Sequence, residues 1–150
     1  MLETLLAYAH ILAFLSWTVF LTSQTALARP EWFNAAVVDR LVKVDRIALA
    51  AGTVVLATGL ARVAWGAKGP QWTLAQPLLW GKLALFGWMA WDSWRAHRQY
   101  LRWQRTLQVH GQLPSAEAID AQRRRVMRAA HLMMWLPLLG VLLARGWFAR

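Results

Sequence analysis

Four apolar stretches alternate along the chain with shorter polar segments. The first is the clearest, because residues 4–28 contain no charged side chain and a helix of about 20 apolar residues crosses the hydrocarbon core of a bilayer. The pattern predicts spans at about 3–28, 47–66, 78–97 and 126–146. It therefore predicts an all-α integral membrane protein, an antiparallel bundle of four transmembrane helices that forms a single domain over 1–150.

The details of this pattern differ from span to span. The third span is interrupted by Lys82 and Asp92, but the apolar run Leu83–Trp91 and its tryptophans favour a span there. Residues 31–46 are amphipathic and are interpreted as an interfacial helix or as an extension of the second span. A turn is expected at 68–70, a loop at 111–115, and a kink at Pro137.

Composition supports a chain embedded in the lipid bilayer. Hydrophobic residues make up 58% and charged residues only 16%, against about 25% charged in soluble domains. The net charge of +10 does not indicate a nucleic-acid partner, because the basic residues cluster between apolar segments. The absence of cysteine excludes disulfides, thiolate metal sites and thiol catalysis. The first segment has no basic residue before it, and we interpret it as a retained span rather than a signal peptide.

The distribution of basic residues predicts the orientation. Twelve basic residues lie in or beside the first and third connections, and only four lie on the opposite side. Because cytoplasmic loops carry the excess of Lys and Arg, both termini are expected in the periplasm of a bacterial inner membrane. The twelve are Arg29, Arg40, Lys43, Arg46, Arg95, Arg98, Arg102, Arg105, Arg123, Arg124, Arg125 and Arg128, and the four are Arg62, Lys68, Arg145 and Arg150.

Ionisable residues within the spans are the first candidates for function, because burying them in a bilayer is costly. At a rise of about 1.5 Å per residue, His10, Arg62 and Lys82 fall at similar depth in the periplasmic half. Asp92 and His131 fall in the cytoplasmic half, where they are expected to form a structural hydrogen-bonded pair. Two alternatives stay open: Arg62 and Lys82 snorkel to the surface, or the polar groups only hold helices together.

The histidines within the predicted spans are candidate ligands for haem iron. Neutral histidine is a common haem ligand, and a helical bundle provides an apolar, aromatic-lined site. His10 and His131 are about 15 Å apart along the membrane normal, which indicates either one haem at His10 or two separate sites. His97 and His110 are expected to be solvated. A metal site made of His and Asp stays possible, although no pair of histidines four residues apart occurs on a helix.

Short motifs carry a resemblance to known families. They are His10 with Trp17, Ala57–Arg62, Lys68–Pro70, Trp80–Phe86 and Leu142–Gly146. Together they resemble a bacterial family of four-helix membrane proteins known as domain of unknown function 2214. More distantly, the chain resembles the HemJ-type protoporphyrinogen IX oxidases, which implies that haem b is bound, that His10 is its ligand and that Lys82 is a functional, catalytic residue.

The sequence thus predicts a haem b protein of the inner membrane with a redox role. His10 is the expected iron ligand, Trp17, Arg62, Lys82 and His131 are further expected cofactor contacts, and the protein would move electrons between a small reductant and quinone or another redox partner. A second copy of the chain, in a homodimer, is a further candidate partner. The alternative is a non-enzymatic membrane subunit or a permease for small solutes or metal ions.

Overall fold

Helices account for nearly all of the regular structure in the computed structural model, which describes residues 1–66 and 68–147. No strand occurs in those two ranges. A short 3₁₀ helix at Pro30–Trp32 precedes the second α-helix. The α-helices are α1 (Leu2–Leu27), α2 (Ala35–Trp65), α3 (Gly69–Leu74), α4 (Pro77–His110), α5 (Ala116–Met133) and α6 (Trp135–Ala144).

The ends of the helices follow from local chemistry. The side chain of Asn34 accepts a hydrogen bond from the Val37 amide (3.1 Å) and thereby caps the first turn of α2. Helix α4 ends at Gly111, whose φ of 65° is a left-handed conformation that glycine adopts without steric cost. The Ser115 side chain caps α5 in the same way as Asn34 caps α2. Residues 35–46 are therefore an extension of the second span, one of the two interpretations that the sequence left open.

The pairing of α1 with α2 rests on two glycines. The Trp17 indole lies against Gly52, where an added Cβ would be 3.3 Å from its ring, and the His10 ring lies against Gly59 at the same distance. His10 and Trp17 are seven residues apart on α1, and Gly52 and Gly59 are seven residues apart on α2, which is two helical turns in each case. Each large ring therefore fits a gap on the facing helix. Residues early in α1 thus meet residues late in α2.

The outer surface of the bundle is that of a membrane protein. Helix α1 exposes a row of apolar side chains to its surroundings: Leu5, Tyr8, Ile11, Leu15 and Val19. Soluble proteins rarely expose an apolar surface of this extent. In the described part of the chain, three helical segments are long and apolar enough to cross a membrane, namely α1, α2 and the pair α5–α6. Helix α4 is longer than any of these but does not meet the same measure of hydropathy.

The expected kink at Pro137 is a break between α5 and α6 at Met134. Proline has no amide hydrogen, so residue 137 cannot donate to the Met133 carbonyl four residues earlier, and the helix is interrupted there. The segment Lys68–Pro70, expected to be a turn, instead leads into the short helix α3.

Candidate functional site

His10, half-buried in α1, is fixed by a threonine of α2. Its Nδ1 lies 2.8 Å from Thr58 Oγ1, and the same hydroxyl lies 2.7 Å from the Val54 carbonyl. Because a carbonyl can only accept, the threonine hydrogen is directed to Val54, and the hydroxyl oxygen then accepts from His10 Nδ1–H. In the neutral imidazole this leaves Nε2 without a proton, as an acceptor or a metal ligand.

The hydrogen bond to Thr58 leaves the Nε2 atom of His10 as the second nitrogen of the ring. No side chain among residues 1–66 and 68–147 forms a hydrogen bond with it, and the Val55 carbonyl also acts on the ring. It is not among the enclosed polar atoms that lack a partner. The arrangement, with one ring nitrogen held by a partner and the other open, is the one that orients histidine ligands in metal proteins.

Two cations accompany His10, and no acid balances them. The charges of Lys82 and Arg62 both act on the His10 ring, and the charge of Arg62 also acts on Lys82. The Lys82 amine lies against α6 at Gly140, with Nζ 3.4 Å from where a Cβ would be. No carboxylate among residues 1–66 and 68–147 forms an ion pair with either cation. These three residues, which the sequence placed at similar depth, are named here the His10 cluster.

Trp17, which was expected to contact a cofactor, packs between helices. Its side chain is only 2% exposed and lies between Gly52 and Phe86, whose ring centroid is 5.2 Å away. The seven-residue spacing from His10 places both rings against glycines of α2. A cofactor contact at Trp17 stays a prediction.

A second polar group, which the sequence did not predict, joins α1, α2 and α4. The Asp45 carboxylate lies 2.6 Å from His97 Nδ1 and accepts a long hydrogen bond of 3.5 Å from the Gln24 amide. The Asp45 side chain is 2% exposed and that of His97 is 16% exposed. The expectation that His97 is solvated is therefore wrong: its side chain is partly buried and hydrogen-bonded to Asp45. His110, by contrast, is exposed as expected.

Tyr100 and Gln122 extend this polar group into α5. The Tyr100 hydroxyl lies near Gln122 and Asp45, and burial raises the pKa of Tyr100, so that it stays a neutral phenol. Neither this hydroxyl nor Gln122 Nε2 has a hydrogen-bond partner among the described residues. Gln122 in turn accepts a hydrogen bond of 3.0 Å from Arg125. The five residues Gln24, Asp45, His97, Tyr100 and Gln122 are named here the Asp45 network.

Asp92 and His131 are not brought together. Asp92 is buried in a narrow cleft beside Ser93 and Arg125, whereas His131 is exposed and forms no hydrogen bond with the described residues. The similar depth of the two residues was estimated from helix rise, which says nothing about rotation around the axis. The buried face of α5 contains Gln122, Val126, Ala129 and Met133, and at 100° per residue His131 points away from it.

The interior offers little room for a ligand. The cleft beside Asp92 is too narrow to admit a water molecule, whereas ligand pockets usually enclose about 300–1,000 Å³. Within residues 1–66 and 68–147, no three His, Asp or Glu side chains gather as a protein-only metal site would require. The cleft beside Asp92 is therefore no site for a larger group.

These features define a helical membrane protein with an unbalanced basic cluster in one half and a charge-paired network in the other. The chain belongs to the DUF2214 family of predicted membrane proteins, whose model matches residues 2–147. No curated protein and no solved structure matches the chain.

Proposed function

We propose that this protein binds haem b in the membrane, with His10 as an axial ligand, and has a redox role. The observation that carries the proposal is the His10–Thr58 hydrogen bond, which leaves Nε2 of the neutral imidazole without a proton. Haem iron takes neutral imidazole through such a nitrogen. The distant resemblance to HemJ-type oxidases points to the same residue.

The charges around His10 support the same ligand. Two cations in an apolar setting without an acid are unfavourable unless an anion joins them. Haem carries two propionates, and Lys82 and Arg62 would pair with them by charge-assisted hydrogen bonds. A ligand that brings both a metal and two carboxylates thus fits the donors present. When bound, haem supplies a one-electron carrier, and the chain would position and insulate it.

The location of the site follows from the packing. Since the cleft beside Asp92 admits no water, haem would lie against the lipid-facing side of the bundle at His10, where apolar side chains are exposed. Helix α4 carries Lys82 to this level, and we propose that α4 is a fourth transmembrane helix in an antiparallel bundle with both termini in the periplasm of a bacterial inner membrane. Its residues Pro77–Trp94 would span the lipid, and the rest would extend into the cytoplasm.

The experiment is a comparison of histidine variants. Haem per protein is measured after purification for wild type, His10→Ala, His97→Ala, His110→Ala and His131→Ala, with circular dichroism as a check on folding. We expect His10→Ala to lose at least nine-tenths of the haem and the other three to retain it. Full occupancy and an unchanged spectrum in His10→Ala would show that the assignment of the ligand is wrong.

A further inference from the structure

The second histidine of the bundle is also held with one nitrogen free. Asp45 Oδ2 lies 2.6 Å from His97 Nδ1. When Asp45 is ionised its carboxylate can only accept, and the contact then places a proton on His97 Nδ1. The Nε2 atom of His97 forms no hydrogen bond with the described residues and is not among the enclosed polar atoms without a partner. A buried acid thus directs an imidazole toward the surface of the bundle, as in sites where histidine accepts a proton from a ligand.

The surroundings of His97 combine an aromatic wall with the edge of the membrane. The Trp94 ring centroid is 5.9 Å from that of His97 at an angle of 37°, and the Trp94 side chain is 50% exposed. At this point α4 changes from an apolar to a basic helix, beginning with Arg95 and Arg98. Such a change marks the boundary between lipid and cytoplasm. A ligand reaching His97 beside Trp94 would therefore come from the lipid and carry its polar group at the boundary.

We propose that His97, oriented by Asp45, binds the head group of a membrane quinol. The ring of the quinol would pack on Trp94, and one hydroxyl would donate a hydrogen bond to His97 Nε2. This inference rests on the proposed redox function and names the chemical class of the membrane redox partner that would bind, with no electron-transfer step assigned. An anionic phospholipid would be attracted by the exposed arginines instead and would not require a neutral acceptor nitrogen.

Binding is tested with the full chain in nanodiscs and a short-chain benzoquinol as the probe. Calorimetry is expected to give at least tenfold weaker binding for His97→Gln, while His110→Gln, an exposed histidine on the same helix, binds as wild type does. Asp45→Asn is expected to weaken binding as well. Equal affinity in His97→Gln and wild type would overturn the proposal, and so would loss of wild-type binding when phosphatidylglycerol replaces neutral lipid.

A measurement on the wild type covers the case in which the variants do not fold. An azido-benzoquinol is photolysed with the protein, and the labelled residues are located by mass spectrometry. Labels on residues 94–98 that excess quinol suppresses would support the site, and labels confined to other segments would contradict it. Haem content is measured on the same samples. A colourless protein that still binds quinol would refute the proposed function alone, whereas a haem protein without quinol binding would refute only this inference.

Discussion

The His10 cluster and the Asp45 network differ in how their charges are balanced. In the cluster, an imidazole and two cations lie together, and no carboxylate of residues 1–66 and 68–147 forms an ion pair with them. In the network, a buried carboxylate has an imidazole partner within 2.6 Å and an amide at 3.5 Å. Along α2, Thr58 and Asp45 are about 20 Å apart, so the two groups occupy opposite halves of the bundle. In the network, the carboxylate has its hydrogen-bond partners within the chain, although Gln24 Oε1, the Tyr100 hydroxyl and Gln122 Nε2 have none among the described residues. In the cluster, the proposed haem would supply the missing anion.

The proposed topology places the His10 cluster on the periplasmic side of the membrane and the Asp45 network on the cytoplasmic side. The chain has no cysteine, so single cysteines report without background. We expect His110→Cys to react with an impermeant maleimide only after the membrane is opened, and Gln71→Cys, an exposed residue of α3, to react in intact spheroplasts. Both residues reacting from the same side would show that α4 does not cross the membrane.

Packing near the His10 cluster should dominate stability. Trp17→Ala empties the space between Gly52 and Phe86 and should lower the free energy of unfolding by about 3–5 kcal/mol. Trp88→Ala is the matched control on α4, because its side chain is 64% exposed and its loss leaves no cavity. Detergent-induced unfolding followed by circular dichroism compares the two. Equal losses would mean that Trp17 is not the packing residue described here.

The Asp45 network should contribute to stability through the hydrogen bond between Asp45 and His97. Asp45→Asn keeps the shape of the side chain but removes the ionised acceptor of His97, and it should reduce the free energy of unfolding by about 1.5–3 kcal/mol. Asp39→Asn is the control on the same helix, since Asp39 is exposed and contacts only Gln104. Its effect should stay within about 0.5 kcal/mol. A similar effect for both would place Asp45 among ordinary surface acids.

The Thr58 hydroxyl should matter for the ligand more than for the fold. Thr58→Val removes the acceptor that fixes His10 Nδ1, and it should weaken haem binding about 10- to 100-fold, the usual effect of losing a partner that orients a metal ligand. Thr53→Val is the matched control, because the Thr53 hydroxyl bonds only to the Leu49 carbonyl of its own helix. Haem titrations of both variants give the comparison. Equal affinities would contradict the tautomer assigned to His10.

The sequence predicted the His10 cluster and missed the Asp45 network for a physical reason. Depth along a helix follows from residue counting, and His10, Arg62 and Lys82 could be matched on that basis alone. Which side chains face each other also depends on their rotation about the helix axis, and this rotation separates Asp92 from His131 although their depths agree. The signal for Asp45 was available: it continues the buried face of Leu41, Val42 and Ala48 at helical spacing.

The third predicted span, which corresponds to helix α4, shows another limit of sequence patterns. Hydropathy averages over all faces of a helix, and α4 carries Lys82, Asp92 and Ser93 toward its neighbours. These residues lower its apolar character although they are partly or fully enclosed by protein. For the same reason, no pattern in the sequence could indicate that Gly140 of α6 makes room for the Lys82 amine. Such contacts depend on the packing of helices that are distant in sequence.

Haem binding is tested directly by the absorption spectrum of the purified wild-type protein. The protein is produced in haem-replete cells, and the spectrum is recorded before and after reduction with dithionite. The account predicts a Soret band that shifts on reduction, with α-bands typical of b-type haem and about one haem per chain. A protein that is colourless as purified and gains no such bands with excess haem would contradict it.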